Sequence, residues 1–123
     1  MGGNLGVTGN QSVTGNSATT GAVTIGSGGT PITKHLSILV DPAFVALKPG
    51  ACTSASFTFT GASDGDTTAL GVPNSRMTGG GNLIYSAWVS AAGTITVQAC
   101  NGNANSPQKI AGSGAIRVDL WKH

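Results

Sequence analysis

Few side chains in this sequence are equipped for chemistry. The only histidines are His35 and His123, and the acidic groups are Asp41, Asp64, Asp66 and Asp119, with no glutamate. His35, Asp41 and a serine spell the components of a hydrolytic triad, but no nucleophile elbow marks any serine. His35 is therefore expected as a polar residue at a neck and His123 as a solvent-exposed terminus. Three copies of His35 on a threefold axis could face a metal, a reading secondary to that one. Asp64-Gly65-Asp66 sets two carboxylates at alternate positions, as in calcium loops, yet no further acidic ligand follows at loop spacing. A plain β-turn is expected there. Paired acid–base hydrolysis of glycans finds little support among four carboxylates. Thr78-Gly79-Gly80-Gly81-Asn82 lacks the lysine and the strand–helix context of a phosphate loop. The sequence thus predicts no catalytic residue, no metal site, no cofactor and no enzyme.

Recognition is a different matter. Aromatic faces stack on sugars and anchor interfaces, which singles out Tyr85, Trp88 and Trp121, with Arg76 and Asn82 as polar neighbours. In a chain with 5% aromatic residues, core or interface packing is the stronger expectation for both tryptophans. The stretches Asn74 to Asn82 and Asn101 to Gln108 read as loops, where recognition would be placed. Cys52 and Cys100 are the only cysteines and fall at the ends of expected strands. A disulfide between them would be worth about 4 kcal/mol in the chain-entropy model. Two buried free thiols are preferred, because Met1-Gly2-Gly3-Asn4 shows neither the basic region nor the apolar stretch of a secretory leader.

The elements that must position these residues are strands. The chain has 123 residues, 20 of them glycine, with 8% charged, 39% hydrophobic and a net charge of +2. That balance permits folding, since disorder goes with low hydrophobicity and high net charge. No long apolar run has helical spacing, whereas Val, Ile and Thr alternate with small polar residues between glycine clusters, so the fold class is all-β. No run is long enough to cross a membrane. The basic residues are dispersed without a stripe of interleaved aromatics, which argues against nucleic acid as a partner.

Two regions follow. Val7-Thr8-Gly9-Asn10 recurs as Val13-Thr14-Gly15-Asn16, then as Thr19-Thr20-Gly21-Ala22, and fades at Ile25-Gly26. A hexapeptide repeat of this kind suggests a β-helix or an intertwined β-prism. One such strand cannot cover its own apolar stripe, so Val7, Val13, Thr19 and Ile25 are candidate trimer-shaft or shell-contact positions. Gly26 to Pro31 is expected as a neck or hinge. Residues 1–31 therefore form a repeat arm and neck, and 32–123 a β-sandwich or jelly-roll-like domain. Its expected strands are Leu36–Val40, Ala55–Thr60, Thr67–Val72, a hairpin from Leu83 to Ala99 turning at Ala91-Ala92-Gly93, and Ala115–Trp121. In the hairpin Leu83, Tyr85, Ala87 and Val89 share one face and Trp88 the other, with Ile95 and Val97 inward.

Several segments in order carry a resemblance. They are Thr33-Lys34-His35-Leu36-Ser37 after the repeat, Phe59 to Asp66, Ala87 to Val97, and the closing Ile116-Arg117-Val118-Asp119-Leu120-Trp121-Lys122-His123. The arrangement resembles the repeat-plus-C-terminal-domain architecture of tail-fibre, spike and decoration proteins of tailed bacteriophages. That likeness implies a noncatalytic homotrimer in a virion, made in the host cytoplasm. A fibre subunit normally carries a docking domain and a long shaft, and the arm here is barely four repeats. Read as a complete short protein, the chain is expected to be a capsid cement or decoration protein at the capsid surface, its arm gripping the major capsid protein or another virion protein. The alternative is a fibre or spike tip on the tail that recognises a host surface glycan.

Overall fold

A computed structural model describes residues 3–80, 83–102 and 112–123. These residues hold six strands and one short helix: β1 (Lys34–Val40), β2 (Cys52–Thr58), β3 (Thr67–Gly71), α1 (Asn74–Gly80), β4 (Leu83–Ala91), β5 (Thr94–Asn101) and β6 (Ile116–Lys122). The strands form two antiparallel three-stranded sheets, ordered β1-β6-β3 and β2-β5-β4. The all-β expectation holds.

Period-two alternation explains the pairing of the sheets. Val40, Ile116, Val118 and Leu120 from one sheet meet Val89, Ile95 and Val97 from the other, with Phe59 and Ala62 closing one end. Ile95, Val97, Ile116, Val118 and Leu120 are completely buried, each worth about 1.5–3 kcal/mol of transfer free energy. A smaller cluster of Leu47, Leu83 and Ala99 fills the other end beneath the 41–51 connection. The β4–β5 hairpin turns at Gly93, whose φ of 69° suits a residue without Cβ. Thr68 of β3 donates its hydroxyl to the Ala87 carbonyl of β4 at 2.7 Å, fastening the sheets together along that side.

Two local expectations need correction. First, Cys52 and Cys100 form a disulfide and are not free thiols. They are directly opposed in the β2–β5 register with Cα atoms 4.0 Å apart, the close approach of a non-hydrogen-bonded antiparallel pair. Only the strand pairing brings them together. They also stand on the outer face, where Cys52 is exposed and Cys100 half-buried.

Second, the stretch from Asn74 is not wholly a loop, because it opens with α1. The Pro73 carbonyl accepts the Arg76 N–H at 3.0 Å, and the Arg76 side chain pins the turn to the domain. Around the expected neck, Val23 and Ile32 bridge antiparallel through bonds of 2.9 and 2.8 Å, with Gly26 and Gly28 at positive φ in the turn between them. Thr33 then bonds to the Lys122 carbonyl and leads into β1. Asp64-Gly65-Asp66 lies in the expected turn, where Asp66 N–H bonds to the Ser63 carbonyl and the Asp66 carboxylate accepts the Ser63 N–H.

Candidate functional site: the arm and the two outer sheet faces

The arm is the most unusual part of the chain. Gly3, Gly9 and Gly15 have φ of 130°, 110° and 109°, so a positive-φ glycine recurs every six residues up to Gly15, and the recurrence ends before Gly21. Every described residue from Gly3 to Gly28 is exposed, including Leu5, Val7, Val13, Thr19, Val23 and Ile25. No strand pairing involves residues 3–22 within the chain, among the described residues. Apolar side chains at regular spacing thus stand without cover in one copy.

The outer face of β1-β6-β3 carries the polar constellation. His35 lies opposite Trp121, Ser37 opposite Asp119, and Leu39 opposite Arg117. His35 and Trp121 stack with ring centroids 4.1 Å apart, and His35 Nε2 is 3.7 Å from the Asp119 carboxylate. Ser37 donates to Asp119 at 2.6 Å and accepts from Arg117 at 2.8 Å. This row contains a serine, a histidine and an aspartate, but the serine is bonded to the carboxylate rather than to the imidazole. A nucleophile needs its base as its hydrogen-bond partner, so the order is that of a surface network. Asp41, the other acid considered with His35, is six residues further on, just past the end of β1 and about 20 Å away at strand rise. A cleft of about 470 Å³ opens between arm residues Thr19 to Val23 and the His35–Trp121 pair.

The outer face of β2-β5-β4 has another character. Cys52–Cys100, Ser54, Ser56, Gln98, Thr96, Ile84, Ser86, Trp88 and Ser90 make up this face, and none of the three strands contains a charged residue. Hydroxyls satisfy one another: Thr96 donates to Ser90 at 2.7 Å and shares a 2.9 Å bond with Ser56. Trp88 is 43% and Ile84 62% exposed, so Trp88 is not a core residue of the single chain.

The remaining recognition candidates separate. Arg76 is only 1% exposed and its guanidinium bonds to the Gly114 carbonyl at 2.5 Å, the Pro42 carbonyl at 3.0 Å and Asp41 at 2.6 Å. This overturns its reading as a surface residue: its charge and hydrogen bonds are spent inside the domain. Tyr85 is half-buried beside Leu70, Val72, Met77 and Ile84, and its hydroxyl lacks a hydrogen-bond partner among the described residues. Asn82 lies outside the described residues, as does most of the 101–108 stretch.

Sequence reasoning missed the Ser37–Asp119–Arg117 network, whose only signal was shared outward parity on two strands whose pairing was not known. Among the described residues no group of three or more His, Cys, Asp or Glu side chains could hold a metal ion, and no helix is long and apolar enough to cross a membrane. Compared with known proteins, the chain matches no family model, no curated protein and no solved structure.

Proposed function

We propose that this chain is a structural component of a virus particle: a homotrimeric capsid cement or decoration protein attached through its arm. The observation that carries the reading is the six-residue sequence repeat in an uncharged arm whose residues 3–22 have no strand partner among the described residues of the chain. A segment of that kind is completed by other chains, because its backbone groups and Val7, Val13, Thr19 and Ile25 find partners only there. The shell contact is to the major capsid protein or another virion protein, and the domain of residues 32–123 projects outward. The test is removal of residues 1–25. Attachment to capsids is lost while the domain stays folded, since the described core residues, with those packed against them, all lie at Leu36 or beyond. Binding of the truncated protein at full occupancy refutes the arm as the attachment device.

A second reading rests on Trp88, exposed on an uncharged hydroxyl-rich face. A tail-fibre or spike tip would use such an aromatic to stack on a host surface glycan. Glycan binding lost in Trp88→Ala, with oligomeric state and stability unchanged, supports this alternative. Absence of binding to host envelope material removes it.

A further inference from the structure

We infer that β2 is the acceptor edge for the arm of a neighbouring copy, so that subunits are joined by exchanged strands. The inference goes beyond the virion reading and is tested on the purified protein alone. It begins from how the sheet edges are protected. Exposed edges invite pairing with another chain, and folded proteins blunt them with charges, prolines, bulges or covering segments. The β3 and β4 edges lie side by side, joined by the Thr68–Ala87 bond, and β4 is bulged between Val89 and Ala91. The β1 edge starts at Lys34, ends at Asp41-Pro42, and borders the cleft that arm residues Thr19, Thr20, Gly21 and Val23 also line. Within its own length β2 carries none of these devices among the described residues, its nearest charge and proline being Lys48-Pro49 ahead of it. Cys52-Thr53-Ser54-Ala55-Ser56-Phe57-Thr58 contains no charge and no proline, and pairs on one side alone.

The register says which backbone groups are on offer. The close Cα approach at Cys52–Cys100 marks a non-hydrogen-bonded pair, and alternation places Ser54–Gln98, Ser56–Thr96 and Thr58–Thr94 in the same class. The bonds from Asn101 N–H to the Ala51 carbonyl and from Phe59 N–H to the Gly93 carbonyl agree, because both involve odd-numbered residues on the β2 side. Residues 53, 55 and 57 therefore point their N–H and C=O groups at β5, while 54, 56 and 58 point theirs away from the sheet. The side chains of Ser54, Ser56 and Thr58 are exposed. The disulfide holds this edge at its first residue to the central strand.

The same molecule carries the matching donor. No charged residue precedes Lys34, so nothing in the arm resists lying on an uncharged edge. Each hexad supplies a short stretch free of positive φ, such as Asn10-Gln11-Ser12-Val13-Thr14 between Gly9 and Gly15. Its length, about 16 Å at strand rise, is shorter than the seven-residue β2. In its own chain the arm joins the other sheet, where Val23 bridges Ile32 and Thr33 leads into β1, so the acceptor proposed is β2 of a neighbouring copy. An arm-to-edge contact is heterologous, and with three copies it closes into a ring that leaves no β2 edge unpaired, while the arm residues outside the paired hexad stay available to a shell protein.

Light scattering on the full chain, the Ser54→Pro variant and a deletion of residues 3–18 tests this. Proline at 54 removes only an outward N–H and is tolerated on an edge, so the β2–β5 ladder persists. The full chain is expected at three times its 12.1 kDa mass, and both variants at the mass of one chain with unchanged near-UV circular dichroism. Hydrogen exchange gives a second readout that does not depend on the proline variant folding: the Ser54 and Ser56 amides are slow in the full chain and fast in the deletion. A monomeric full chain, a Ser54→Pro variant that folds and keeps the full-chain mass, or Ser54 and Ser56 amides equally fast in both proteins overturns the inference. Failure of the virion reading, by contrast, would appear only in capsid attachment and leave these masses unchanged.

Discussion

Arg76 on the short helix holds Asp41 at the end of β1 across 35 positions of sequence, through a 2.6 Å charge-assisted bond. The two ends of that bond are unlike: Arg76 is 1% exposed at its side chain and Asp41 68%. Most of the worth of Arg76 therefore lies in its bonds to the Gly114 and Pro42 carbonyls and in its packing near the Phe44 ring. Replacing Arg76 with Ala strands those acceptors and leaves a void, and is expected to cost about 3 kcal/mol. Asp41→Asn keeps an acceptor in water and is expected to cost less than about 1 kcal/mol. Urea unfolding of the two variants measures the difference, and equal losses would contradict this division.

The Cys52–Cys100 bond closes a loop with a sequence separation of 48. Chain entropy gives it about 4 kcal/mol of stabilisation. The Cys52→Ser, Cys100→Ser double variant is expected to unfold at correspondingly lower urea concentration, and reductant is expected to shift the wild type to nearly the same midpoint. Because Cys52 is exposed, reduction should proceed without global unfolding. Its rate is then independent of urea well below the midpoint, which thiol titration reads directly.

Asp66 governs an acid limb of stability. The Lys122 ammonium bonded to it at 2.7 Å, helped by the Ser63 N–H, holds its carboxyl below the ordinary value despite the opposing effect of burial. A carboxylate with a depressed folded pKa contributes fully above its unfolded pKa of about 3.9, and the contribution fades as pH falls toward the folded value. Between pH 7 and 5 this pair contributes no pH dependence. Below about pH 4 stability declines, and Asp66→Asn, already weakened at pH 7, declines less. Urea midpoints for both proteins at pH 7, 5 and 3 measure this.

Gly9 and Gly15 hold φ values that side-chain-bearing residues rarely adopt, whereas Gly21 does not, and nothing crowds a Cβ at any of the three. Gly9→Val and Gly15→Val are expected to weaken assembly through the arm at least tenfold while leaving the melting temperature of the isolated domain unchanged. Gly21→Ala is expected to do neither. Sedimentation over a concentration series separates the three variants.

The domain was legible where neighbouring residues disagree in polarity. Phe57 and Phe59, Ile95 and Val97, and Ile116, Val118 and Leu120 each repeat at two-residue spacing, and all face the core. The alternation says nothing of which strands pair, so the Cys52–Cys100 bond and the Ser37–Asp119–Arg117 row were hidden until the register was known. Helix α1 was illegible for another reason. Its sequence, Asn-Ser-Arg-Met-Thr-Gly-Gly, has weak helical propensity, and what holds it is Arg76 bonding to residues 34 to 38 positions away. The arm's repeat was visible from residue types, and its positive-φ glycines recur at the same spacing.

The central claim concerns place on a particle, and the most direct measurement is electron microscopy of purified virions carrying a label on the C-terminus of this chain. The account predicts label distributed over the whole icosahedral head. Label confined to the tail would contradict the cement reading and favour a fibre tip, and particles free of label would contradict a virion role altogether.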